Sequence, residues 1–139
     1  MRLLASTDFA LRILMLLAMR PSGAPVSVEA LARELGGLSR HHLHKIVQDL
    51  NDLGVTRTMR GMSGGVLLAR APAEIRLGQV IMRLEQEQAL VECFRPGSAG
   101  CTLLPACRLK AALSAAQKHF YGHLDGYTLA DMAAGQVSV

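Results

Sequence analysis

The chain has 139 residues, half of them hydrophobic, few aromatics and a formal net charge of +4, which fits one domain, or one small domain with an appendage. No stretch is apolar for long enough to span a membrane. The longest, Phe9 to Met19, is short, is broken by Arg12 and lacks a following cleavage site, so the expected location is cytoplasmic. Three cysteines, an odd number, also argue against a secreted disulfide framework.

The charge is uneven. Residues 1–70 hold nine Lys/Arg against five Asp/Glu, while residues 71–139 hold six of each. The positive excess points to a nucleic-acid-binding module over 1–72, joined to a neutral regulatory or assembly module over 73–139.

Ser6, Thr7 and Asp8 offer N-caps for a first helix running through Phe9 to Ala18. That helix is apolar nearly all round, so it belongs in the core or an interface, and Pro21 to Pro25 should end it. Two short helices with matching entries follow. Ser27 and Ser39 are their caps, and Val26/Leu31 and Leu38/Leu43 have hydrophobic-staple spacing. Gly36-Gly37 supplies the tight turn of a helix–turn–helix. In the second of these helices Leu43, Ile46, Val47, Leu50 and Leu53 form an apolar stripe, and Gly54 ends it. The opposite face is expected to read DNA from its N-terminal half, using Ser39, Arg40, His41, His42, His44, Lys45 and Gln48.

Two strands come next, Val55–Arg60 and Val66–Arg70, joined by a turn from Gly61 to Gly65. A basic hairpin in this position is a wing. Arg57, Arg60 and Ser63 are its candidate DNA contacts. The expected fold is therefore mainly α with a β-wing: a winged helix–turn–helix followed by a long C-terminal dimerisation helix.

After Ala71-Pro72-Ala73, a helix from about Leu77 to Gln88 carries Leu77, Val80, Ile81 and Leu84 on one face. A loop with all three cysteines follows, Cys93, Cys101 and Cys107, spaced C-x7-C-x5-C and without a CxxC knuckle. Pro105 is expected to open the long helix, with Cys107 in its first turn, where the positive dipole end favours a thiolate. Three thiolates on a pliable loop suit an iron–sulfur cluster that takes a fourth ligand from elsewhere. On spacing alone, incidental thiols, redox thiols and a zinc site stay open. The long helix shows Leu109, Leu113, Ala116, Phe120 and Leu124 at spacings of three and four, read as a dimer seam. Thr128-Leu129-Ala130-Asp131 has the capping-box pattern of a last short helix ending at Gly135. No nucleotide motif or Ser/His/Asp set suggests an enzyme.

Five runs carry a resemblance: Thr7-Asp8-Phe9-Ala10-Leu11-Arg12, Ser39-Arg40-His41-His42-Leu43, Arg60-Gly61-x-x-Gly64-Gly65, Pro105-Ala106-Cys107-Arg108-Leu109-Lys110 and Tyr127-Thr128-Leu129-Ala130-Asp131. Over Met1 to about Met132 the chain resembles the NsrR/IscR family of bacterial winged-helix repressors, and within it the nitric-oxide-sensing branch. The iron–sulfur-biogenesis branch carries a ligating histidine three residues after its last cysteine, where this chain has Lys110. Relatives often carry a basic residue where Met62 stands in the wing.

The resemblance implies a homodimer that binds a palindromic double-stranded DNA operator and represses nitric oxide detoxification genes. It implies an iron–sulfur cluster, 4Fe–4S in preference to 2Fe–2S, held by Cys93, Cys101 and Cys107, with nitric oxide as the signal that disrupts it. Asp8, matching the family's N-terminal motif, is the first candidate for a fourth ligand, reaching the partner's cluster; Glu92, His119 and His123 come after it. The plainer role for Asp8 is a helix cap.

Overall fold

The computed structural model describes residues 2–20, 23–36, 38–98 and 100–135. Helix α1, Ala5–Ala18, lies at the centre. Its apolar sequence leaves Ala10, Ile13, Leu14 and Leu17 buried, against Leu31 of α2 (Val28–Leu35) and Leu43, Ile46, Val47 and Leu50 of α3 (Arg40–Asp52). Both expected caps form: Ser27 Oγ accepts the Ala30 N–H and Ser39 Oγ the His42 N–H. Between α2 and α3, Gly36 adopts φ +58°, which favours glycine, while Gly37 lies outside the described residues, as do Pro21 and Ser22.

The start of α1 departs from expectation. The helix begins at Ala5 with Leu4 at its N-cap, so Ser6, Thr7 and Asp8 fall inside the first turn and cap nothing. Two contacts explain the shift. The Leu4 carbonyl accepts the Asp8 N–H at 3.1 Å, and the Leu4 N–H is itself taken by Glu85. Thr7 meanwhile turns into the core.

The wing is an antiparallel pair, β1 (Thr56–Met59) and β2 (Gly65–Leu68), with Thr56 opposite Leu68 and Met59 opposite Gly65. It is anchored to the segment before α2. Val26 and Val66 exchange both backbone hydrogen bonds at 2.8 Å. At Gly65 a Cβ would come within 2.4 Å of the Val26 carbonyl oxygen, so only glycine allows that approach.

A single turn of 3-10 helix, Pro72–Glu74, leads into α4 (Leu77–Leu84). This helix ends four residues before the expected Gln88. Glu85-Gln86-Glu87-Gln88 offers no apolar residue to continue the stripe, and the Glu85 side chain is drawn into the interior. Helix α5, Arg108–Asp125, also starts later than expected, three residues after Pro105. Cys107 is its N-cap rather than part of its first turn, because its sulfur accepts the Lys110 N–H at 3.4 Å.

Helix α5 crosses α4 at Gly78, where a Cβ would meet the Tyr121 carbonyl oxygen at 2.3 Å. No residue of α5 is buried in the single chain. The capping box forms at Thr128 and Asp131, opening α6 (Leu129–Ala134), and Leu129 packs in the same core as Ile75, Val80 and α1. No helix among the described residues is long and apolar enough to cross a membrane.

Candidate nucleic-acid interface and cysteine loop

The geometry of α3 follows from its two faces. Its apolar stripe is buried, so Arg40, His41, His42, His44, Lys45 and Gln48 are all turned outward and exposed. Ser39 also meets the His42 ring at Nδ1, 2.9 Å away, which orders the entry to the helix. Several outward side chains hold acids of the same chain: Arg40 with Glu29 at 3.6 Å, Lys45 with Asp49 at 2.5 Å, and Gln48 with Asp52 at 3.2 Å. The hydrogen bond to Asp49, then that carboxylate's charge, holds the Lys45 ammonium above the usual lysine range. Exposed pairs of this kind are weak and can be exchanged for phosphate.

In the wing, Arg57, Arg60 and Ser63 are exposed, and among the described residues neither arginine has an ion-pair partner. Met62 is fully exposed at the tip, where an apolar side chain can reach a groove but cannot neutralise a phosphate. A residue that sequence reasoning missed sets the wing against α3. Asn51 donates to Thr58 Oγ1 at 2.9 Å and accepts from Thr56 Oγ1 at 2.7 Å. The signal was present: Thr56 and Thr58 have strand spacing just beyond an Asn in the last turn of a helix.

The cysteine loop is only partly convergent. Cys93 lies half-buried in a 3-10 turn, Glu92–Phe94, and Cys101 is exposed. These two line one hollow of about 410 Å³, together with Val91, Glu92, Ser98 and Gly100. Cys107, half-buried at the head of α5, is not part of its lining. Cys93 also opens onto a wider groove of about 930 Å³, bordered by Glu85, Lys110 and Tyr121.

Among the described residues no three His, Cys, Asp or Glu side chains converge as a metal site. Asp8 is exposed on α1 and paired with Arg12 at 2.8 Å, while Arg12 also lies over the Phe9 ring. Glu92 pairs with Arg95 at 3.4 Å, and His119 and His123 are exposed on α5. The donor chemistry, three thiols on one loop, fits an iron–sulfur group; within the single chain two of those thiols, Cys93 and Cys101, line one hollow.

Glu85 was not foreseen. It is 5% exposed, and its carboxylate accepts the Leu4 N–H, so the residue just before the cysteine loop is tied to the head of α1. Partial burial raises the nearby Tyr121 phenol above its ordinary pKa, and the Glu85 charge adds to the rise.

Comparison with known proteins places this architecture. The family described as Rrf2, iron-dependent transcriptional regulator, matches residues 3–135. The helix–turn–helix transcriptional regulator NsrR of Geobacillus kaustophilus is 40% identical over 139 residues, covering 100% of this chain and 94% of its own. Its counterpart from Halalkalibacterium halodurans is 38% identical over 136 residues, covering 98% and 92%. Among solved structures, CymR, the global cysteine regulator of B. subtilis, superposes with a TM-score of 0.76 at 26% identity, over 99% of each chain. IscR of T. potens gives 0.74 at 25%, over 100% of this chain and 94% of that one.

Proposed function

The chain belongs to the Rrf2 family of transcriptional regulators, and from that premise we propose that it is a homodimeric iron–sulfur repressor released from its operator by nitric oxide. One juxtaposition carries the reading. A winged helix with an exposed basic reading face is followed by three cysteines on one loop, and that loop runs directly into a helix whose apolar stripe is only partly covered in the single chain, with Leu109 and Ala116 exposed.

Each part has a separate task. Arg40, His41, His42, His44, Lys45 and Gln48 face the major groove, with Ser39 ordering the helix start, and Arg57, Arg60 and Ser63 bring the wing to the backbone. Leu109, Leu113, Ala116, Phe120 and Leu124 pair with the same stripe of a second copy and so set the spacing of two recognition helices to a palindrome. Cys93, Cys101 and Cys107 would hold the cluster, with Asp8 from the partner completing the set, and 4Fe–4S is preferred to 2Fe–2S. When bound, the cluster supplies the iron with which nitric oxide reacts. Held by these residues, the cysteine loop would be fixed between α4 and α5; without that hold, a small relative shift of the two recognition helices would break their register with the half-sites.

Anaerobic purification tests the proposal. The protein should be brown, with the absorption and Mössbauer spectra of an iron–sulfur cluster. A colourless protein whose operator binding follows thiol oxidation or zinc alone would replace this reading with a redox-thiol or zinc-dependent winged-helix regulator.

A further inference from the structure

Two of the three cysteines, Cys93 and Cys101, line the same hollow. The described residues leading from Cys93 to Ser98 turn: a 3-10 turn spans Glu92–Phe94, the Ser98 N–H bonds to the Arg95 carbonyl at 3.3 Å, and Gly97 takes φ +76°. Cys107 is not part of that lining; its sulfur accepts the Lys110 N–H at the head of α5. Cys101 is exposed and Cys93 half-buried, so a reagent from solvent meets Cys101 first.

We infer that in the metal-free chain Cys93 and Cys101 close an intramolecular disulfide when a hydroperoxide is present, while Cys107 stays a free thiol. The Cys101 thiolate attacks one peroxide oxygen, the O–O bond breaks, Cys101 becomes a sulfenic acid, and the other oxygen leaves as an alcohol, or as water from hydrogen peroxide. The Cys93 sulfur then attacks the Cys101 sulfur. The S–O bond breaks, and the hydroxyl leaves with the Cys93 proton as water. Two thiols have lost two electrons and two protons, and the cleaved O–O bond has taken up both. The short spacing, seven residues between the two cysteines, keeps the entropy of closing this ring small.

The disulfide removes two of the three thiolates assigned to the cluster. The oxidised chain therefore refuses iron and sulfide until a dithiol reduces it, which makes cluster loading conditional on thiol redox state. This consequence rests on the cluster reading above; the disulfide does not.

The experiment uses the full chain, made metal-free by a chelator under reducing conditions, then treated with one equivalent of hydrogen peroxide and alkylated. Chymotrypsin cuts after Phe94 and Leu103, which separates the three cysteines for mass mapping without reduction. The expected map shows one crosslink, Cys93 to Cys101, with Cys107 alkylated. Cys107→Ser should leave that crosslink intact, and Cys93→Ser should leave Cys101 as a sulfenic acid that a 1,3-diketone probe traps. A crosslink to Cys107, a crosslink between two chains, or three free thiols after peroxide would overturn the inference. Loading the crosslinked chain with iron and sulfide, before and after a dithiol, separates the two readings. If the crosslink maps as expected but the reduced chain stays colourless, the cluster reading fails and the disulfide stands.

Discussion

The carboxylate of Glu85, at the end of α4, accepts the backbone N–H of Leu4, at the head of α1, over 2.9 Å. The bond spans 81 positions in sequence and puts a nearly buried charged group between the cysteine loop and the turn that carries Asp8. Glu85→Ala would leave the Leu4 N–H without its partner and a small void beside it. The expected loss of stability is about 1–3 kcal/mol, read from the denaturant midpoint. Glu85→Gln keeps an acceptor and should lose less. Equal midpoints for the wild type and the Ala variant would show that the bond contributes nothing to holding α4 on α1.

The wing makes a different prediction. Arg60 is exposed and without an ion-pair partner among the described residues, so its charge is available for DNA. Arg60→Ala should weaken operator binding across all sequences and lower the slope of log affinity against log salt by about one unit. An unchanged slope would take Arg60 out of the contact set.

Dimerisation can be tested without disturbing the core. Leu109 is 65% exposed in the single chain, so a charge there costs the isolated fold little. In a paired seam, Leu109→Glu would bury an unpaired carboxylate, at a cost on the order of a few kcal/mol to association. Sedimentation should show folded monomers for this variant at concentrations where the wild type is dimeric. An unaltered dimer would place that end of α5 outside the seam.

Asp8 has two roles to separate. In the single chain its carboxylate is held by Arg12, an exposed pair that contributes little to stability. As a cluster ligand from the partner chain, it would be the weakest of four. Asp8→Ala should then still assemble a cluster, but with an altered spectrum and faster loss in air, while its denaturation midpoint barely moves. A spectrum and lifetime identical to wild type would return Asp8 to the Arg12 pair alone.

Short-range chemistry was legible in the sequence. The Ser27, Ser39 and Thr128 caps, the α3 stripe from Leu43 to Leu50 and the turn after Arg60 each depend on residues a few positions apart, and each forms close to where the spacing puts it, although Gly65 opens β2 instead of closing the turn. The misreadings share a long-range or sulfur partner. Asp8 looked like a cap because nothing local announces that Glu85 fixes Leu4 instead. Pro105 looked like the first helical residue because a cysteine cap is a rare signal, yet Cys107 is the N-cap and Arg108 the first helical residue. The loop from Gln86 to Ala106 has no periodicity to read, so which thiols share a hollow depends on its turns, and spacing could not pick out Cys93 and Cys101.

Operator binding by the anaerobically purified, cluster-loaded protein, measured at fixed salt before and after stoichiometric nitric oxide, tests the central claim most directly. The account predicts tight binding by the brown dimer, at least tenfold weaker binding once nitric oxide has bleached its spectrum, and comparably weak binding by a Cys107→Ala variant that never loads. One common affinity for loaded, nitric-oxide-treated and Cys107→Ala protein would contradict it, because the cysteine loop would then have no hold over the recognition helices.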